Sequence, residues 1–161
     1  ILNNSTYNRY NKSNNYSFEV KTMKYQKDGQ TFLLVLDKGE DIVEKVTQFA
    51  EEHEMKFGTV SGIGACDNVT LNFYNLETQE YEAREINEAL ELTSLLGNIS
   101  HIDEQPFAHL HGTFGTRDFQ TLSGHLTKAI VSATAEIVIT MTTMDINRTH
   151  DNETGLNLLR P

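Results

Sequence analysis

The feature that most constrains this chain is a pair of histidines separated by one leucine, His109-Leu110-His111, answered further on by Ser123-Gly124-His125-Leu126. Side chains alternate between the two faces of a β-strand, so His109 and His111 point one way and Leu110 the other. Between the two segments, Phe114 to Thr121 carries Gly115 and Asp118, residues suited to a reversal, and predicts an antiparallel return. A hairpin folded about Asp118 sets His125 opposite His111. Three neutral imidazoles converging from two paired strands leave one tetrahedral position open, as in a catalytic or exchangeable zinc site and unlike a closed structural one. Nickel, copper or iron would suit the same ligands. The alternative is that these are strand or core histidines with individually satisfied nitrogens.

The rest of the chain supplies a frame for such a hairpin. Residues 1–22 are rich in Asn, Ser and Tyr, lack periodicity and precede Met23, so they read as a leader or disordered tail that need not be native. Thr31 to Leu36 is a continuous apolar run, read as a buried strand. After Asp37-Lys38-Gly39, the residues Ile42, Val43, Val46, Phe49 and Ala50 recur on one helical face and predict a helix over 40–54, with His53 in its last turn. Gly58, Gly62 and Gly64 follow a helix and precede strand-like sequence, the reverse of a dinucleotide loop. They mark bulges or close backbone contact, here with a neighbouring subunit. From Asn68 onward strands dominate, with Glu80 to Ile86 an exposed arm and Ala129 to Met141 a second long apolar strand. Residues 144–161 turn polar and end in Leu156, Leu158 and Leu159, a tail expected to dock on the body. One helix among roughly eight strands predicts an α+β domain, with a large, mostly antiparallel sheet or partial barrel and the helix packed on it.

At 161 residues and 38% hydrophobic, the chain suits one domain with a real core. No run reaches the roughly eighteen apolar residues of a membrane span, and no apolar signal segment is visible, so a soluble, cytoplasmic protein is expected. The lone Cys66 cannot form an internal disulfide and reads as a small buried side chain. Acids outnumber bases 23 to 13, for a formal charge of −10, which gives direct nucleic-acid binding no electrostatic support.

Several separated segments resemble one family. Leu36-Asp37-Lys38-Gly39-Glu40-Asp41, the run Gly58 to Gly64, Leu90-Glu91-Leu92 with Leu95-Leu96-Gly97-Asn98, His109-Leu110-His111, and Gly124-His125-Leu126 with Thr134-Ala135-Glu136 are similar, in order and spacing, to the plants-and-prokaryotes conserved domain (PPC or PCC). That domain is found in AT-hook nuclear proteins and in stand-alone bacterial and archaeal proteins. The resemblance covers about residues 29–143, within a domain that starts at Met23 and is bounded at 23–143, and implies a homotrimer with a metal site at His109, His111 and His125. The AT-hook that contacts DNA in plant members has no counterpart here, so DNA association rests on kinship alone. The segment Leu90 to Thr93 matches one tied to partner binding. The fold and histidine set also resemble acetolactate decarboxylase, a zinc lyase.

Two functions follow from this reading. The first is a homotrimeric binding or regulatory module whose partner is a protein or small ligand. The alternative is a zinc-dependent enzyme acting on a small oxo-acid metabolite. An enzyme needs a carboxylate near the metal-bound water, and Glu91 and Glu136 are the candidates because each interrupts an apolar strand. A trimer-interface contact to Arg84, Lys128 or a backbone amide is their other reading. Thr113 and Ser123 are expected to support the imidazoles by hydrogen bonds, His101 is a spare ligand or acid-base group, and His150 is expected to be exposed.

Overall fold

The computed structural model describes residues 23–161, and the expected leader over 1–22 lies outside the described residues. The elements run β1 (Lys24–Asp28), β2 (Thr31–Asp37), α1 (Ile42–Glu52), β3 (Phe57–Asn75), β4 (Glu80–Ile86), β5 (Leu90–Ile102), β6 (Gln105–Gly115), β7 (Thr121–Thr142), β8 (Asn147–His150) and β9 (Asn157–Arg160). The strands form one sheet in the order β1-β2-β7-β3-β5-β8-β9, with β4 beside β3 and β6 bridging β5 and β7. All pairings are antiparallel except the short one between β5 and β8. Because β3 and β6 each pair with both β5 and β7, these four strands close into a ring. The result is the expected α+β partial barrel, with a single helix among the described residues.

Local chemistry explains the elements on the core side. Asp41 caps α1, its carboxylate accepting from Val43 N at 2.8 Å and from Glu44 N at 3.4 Å. Ile42, Val46, Phe49 and Ala50 are buried against the sheet. His53 closes the helix, Nδ1 meeting the Phe49 carbonyl at 3.0 Å and the ring stacking on Phe49 at 4.0 Å between centroids. In β2, Phe32, Leu34 and Leu36 are fully buried while Leu33 is 42% exposed, so the apolar run is buried on one face only.

Two strands are longer than the sequence pattern suggests. The glycine run is the first half of a 19-residue β3, and the histidine segment and the apolar run after it are one 22-residue β7. Such lengths bend at bulges, and the β3 register shifts between Gly62 and Gly64 and again on either side of Cys66. A Cβ at Gly62 would sit 2.8 Å from the Glu136 carbonyl oxygen, and one at Gly64 2.6 Å from that of Thr134. The close contact expected with another subunit is thus made with β7 of the same chain. Cys66 is buried there, and burial, with Asp67 and Asp41 adding to it, pushes its thiol up to about 12.

The β5–β6 hairpin sets the position of the histidine strand. Asp103 and Glu104 both take positive φ, 49° and 64°, which suits the right-handed twist of a two-residue loop. The resulting register places Asn98 beside His109, Gly97 beside Leu110 and Leu96 beside His111. A Cβ on Gly97 would collide with the His109 carbonyl oxygen, a backbone atom that cannot yield without moving β6. Gly97→Ala is therefore expected to destabilise the chain by about 3 kcal/mol, measured by urea denaturation. Asp41→Ala, which removes only a cap, is expected to cost about 1 kcal/mol in the same measurement.

Candidate metal centre

In β6, Ala108, Leu110 and Phe114 are buried in the core, which turns His109, His111 and Thr113 to the opposite face. Cross-strand partners are His111 with His125, Gly112 with Gly124 and Thr113 with Ser123, the register a fold about Asp118 requires. The reversal itself uses Phe119, at φ 59°, and closes with Thr116 N donating to the Gln120 carbonyl at 2.9 Å, whereas Gly115 stays in the strand. The three imidazole centroids lie 5.2, 5.2 and 5.5 Å apart, and one nitrogen from each ring falls within 4.8 Å of the others.

The surroundings come from five further strands, β3, β4, β5, β8 and β9. Tyr81 on β4 stacks on His125 at 5.1 Å, and Asn72 on β3 donates to the His125 carbonyl at 3.3 Å and to Thr127 Oγ1 at 2.8 Å. Arg148 on β8 is buried. Its Nε donates to Ser100 Oγ at 2.8 Å, Nη1 to the Asn157 carbonyl at 3.1 Å, and Nη2 to Asn98 Oδ1 at 3.0 Å and His109 Nδ1 at 3.1 Å. The C-terminal hairpin is held in turn by Tyr74, whose hydroxyl donates to the Thr154 carbonyl at 2.6 Å, and by Gln79, which donates to that of Glu153 at 3.0 Å. Between hairpin and sheet lies a cleft of about 380 Å³, bounded by Tyr81, Phe107, His109, His125, Arg148 and Leu158 among others.

Electrostatics disfavour protonation of two of the rings, His109 and His125. Burial, then Arg148 and the other two histidines, bring His109 down to about 4, and burial with His111 and Arg148 lowers His125 as well. His125 Nδ1 is buried with no hydrogen-bond partner among the described residues. Neutral imidazoles and an orphaned ring nitrogen are a donor set that fits a divalent transition metal.

Other sequence candidates fall elsewhere. Glu91 and Glu136 are both exposed on this chain, so strand alternation removes the burial penalty that singled them out. They line a separate shallow cavity of about 470 Å³ with Ile63 and Thr93, and neither borders the cleft beside the histidines. Thr113 and Ser123 face each other across the strands without a hydrogen bond to an imidazole among the described residues; the His109 ring is met by Arg148 instead. His101 is buried with Nδ1 3.2 Å from the Lys56 carbonyl, on the face opposite His109, and so is not a spare ligand. His150 is exposed. A single arginine in a polar tail carries no local signal of the role Arg148 takes.

The Plants and Prokaryotes Conserved (PCC) domain matches residues 23–143, a span that ends before Arg148. A candidate DNA-binding protein from Bacteroides thetaiotaomicron is similar at 34% identity and a TM-score of 0.83, over 86% of this chain and 96% of that one. A metal-containing protein from Archaeoglobus fulgidus is 35% identical with a TM-score of 0.76, over 88% of this chain and all 100% of the other. A Staphylococcus aureus protein similar to α-acetolactate decarboxylase shares the fold at 12% identity and a TM-score of 0.51, over 73% of this chain and 54% of that one. No protein of curated function matches in sequence.

A histidine whose folded pKa is about 4 stays neutral where an unfolded imidazole, at about 6.5, is protonated. The unfolded chain then binds the extra proton, so stability falls as the pH drops from 6.5 towards 4 and the effect saturates below both values. For chelator-treated protein, the urea midpoint is expected to fall across that window less steeply in His109→Asn than in the wild type. Equal slopes would show that the ring titrates normally.

Proposed function

Because the chain belongs to the Plants and Prokaryotes Conserved domain family, with residues 23–143 matched, we propose that it is a homotrimeric binding and regulatory module organised round a three-histidine metal centre. The ion is zinc or another divalent transition metal, held by His109, His111 and His125. The carrying observation is the convergence of three imidazoles from register-paired strands, their nitrogens within 4.8 Å, beside an open cleft. The 35% identical Archaeoglobus relative, described as metal-containing, supports the same reading. When bound, such an ion supplies a Lewis-acidic position for a ligand atom.

Support for self-association comes from the sheet face that carries the histidines. Cross-strand register puts Leu33, Val138, Ser61 and Leu96 in one row over β2, β7, β3 and β5, and Val35, Glu136 and Ile63 in the next. Leu33, Ile63, Leu96 and Val138 are 42%, 55%, 61% and 37% exposed, an apolar stripe that favours cover by another protein surface. The first row runs on through Leu96 to His111 and His125, so a subunit docked there borders the metal centre. Glu91 and Glu136 lie on this face and suit interface contacts.

The enzyme reading, a zinc-dependent reaction on a small oxo-acid, draws support from the cleft beside the histidines. Among the described residues that line it, however, there is no Asp or Glu to move a proton, which favours binding over catalysis. DNA association comes from kinship with the candidate DNA-binding relative, and the charge of −10 weighs against it.

Elemental analysis of protein purified without chelator is expected to find about one ion per chain in the wild type and almost none in a His109→Ala, His111→Ala double variant. Equal metal in the two would remove the centre. Sedimentation velocity is expected to show a trimer that Ile63→Asp converts to monomer while its metal content is kept; an unchanged sedimentation coefficient would exclude this face as the interface.

A further inference from the structure

Among the described residues, Arg148 is a buried cation without a counter-charge. All four of its acceptors, Ser100 Oγ, Asn98 Oδ1, the Asn157 carbonyl and His109 Nδ1, are neutral, and the side-chain ion pairs of the described residues lie elsewhere, at Lys24–Asp37, Lys45–Glu40 and Arg160–Asp151. A guanidinium does not lose its proton in a protein, and an uncompensated buried charge is costly. It also borders the cleft, and only one of its two Nη1 hydrogens has an acceptor among the described residues.

The contact with His109 changes once the ring holds a metal. Arg148 can only donate, so His109 Nδ1 accepts, and the neutral ring then carries its proton on Nε2. A ring that gives Nε2 to an ion carries its proton on Nδ1 and meets Arg148 donor to donor. A ring that gives Nδ1 to an ion has no lone pair left for Arg148. In both cases the hydrogen bond ends, and an Nη2 hydrogen is freed to join the unassigned one on Nη1.

We propose that the cleft is a carboxylate-binding site in which Arg148 is the anion receptor, and that metal on the histidines strengthens it by releasing the second prong of the guanidinium. A fork of two N–H groups matches the two oxygens of a carboxylate. The body of the ligand is apolar or aromatic, because beside Gln79, Asn157 and the histidines the cleft is walled mainly by Tyr81, Ile102, Phe107, Leu156 and Leu158, with the Phe107 ring 5.3 Å from the guanidinium carbon. The coupling rests on the metal reading of the histidines; the carboxylate preference does not. Arg148 stands beyond the matched domain, so this specificity belongs to the C-terminal hairpin.

The test is calorimetric titration of the full chain with 3-phenylpropanoate and with its neutral amide, zinc-loaded and chelator-treated. The zinc-loaded wild type is expected to prefer the carboxylate by about tenfold, and chelation to weaken carboxylate binding by about fivefold. Arg148→Gln is expected to abolish the preference while keeping its zinc. If that variant melts out by circular dichroism, Arg148→Lys keeps the charge and stem but not the fork, and is expected to bind the carboxylate about fivefold more weakly than the wild type. Equal affinities for acid and amide, a preference that survives Arg148→Gln, or unweakened binding in Arg148→Lys would overturn the site. Identical carboxylate affinity with and without zinc would overturn the coupling. Failure of the metal reading would show separately, as equal metal content in the wild type and the double histidine variant.

Discussion

Strand alternation in β6, enforced from the core side, is the constraint on which the histidine centre depends. Leu110 and Phe114 are fully buried, and their burial, at roughly 1.5–3 kcal/mol for each large side chain, fixes which face the odd-numbered residues take. A slip of one residue would put His109 and His111 into the core and Leu110 into water. Gly97, with no space for a Cβ beside the His109 carbonyl, fixes the same strand from its other neighbour. The imidazoles therefore converge because apolar residues on the far side of the sheet have nowhere else to go.

Once converged, the rings are conditioned by what covers them. Desolvation and the nearby guanidinium disfavour protonation of His109 and His125, so these two rings are held as lone-pair donors instead of mutually repelling cations. The same guanidinium satisfies His109 when no ion is bound. A buried arginine with only neutral acceptors is thus a partner for the empty donor set and a source of unspent hydrogen-bond donors when that set is filled.

The face that carries the histidines also carries the exposed apolar rows, and the two are continuous in register from Leu33 to His125. Core burial on one side of the sheet and subunit cover on the other would account for both sets of alternating residues in β2, β5 and β7. Glu136, set in the second row between Val35 and Ile63, is polar relief in that surface, away from the cleft beside the histidines.

By itself the sequence determined the elements with a strong local signature: the amphipathic helix after Gly39, the alternating strands, and the pairing of His111 with His125, which follows from residue count once a hairpin is granted. It did not separate Glu91 and Glu136 from the histidines, because apolar neighbours in a strand do not reveal which face is covered. Nor could it join the two halves of β7 or assign the close approach at Gly62 and Gly64 to a partner within the chain, since bulges and ring closure depend on strands far apart in sequence. Arg148 was wholly a tertiary decision. Its charge acquires meaning only where the C-terminal hairpin lays it against Ser100, Asn98 and His109, and contacts across 39 to 50 residues have no local periodicity to betray them.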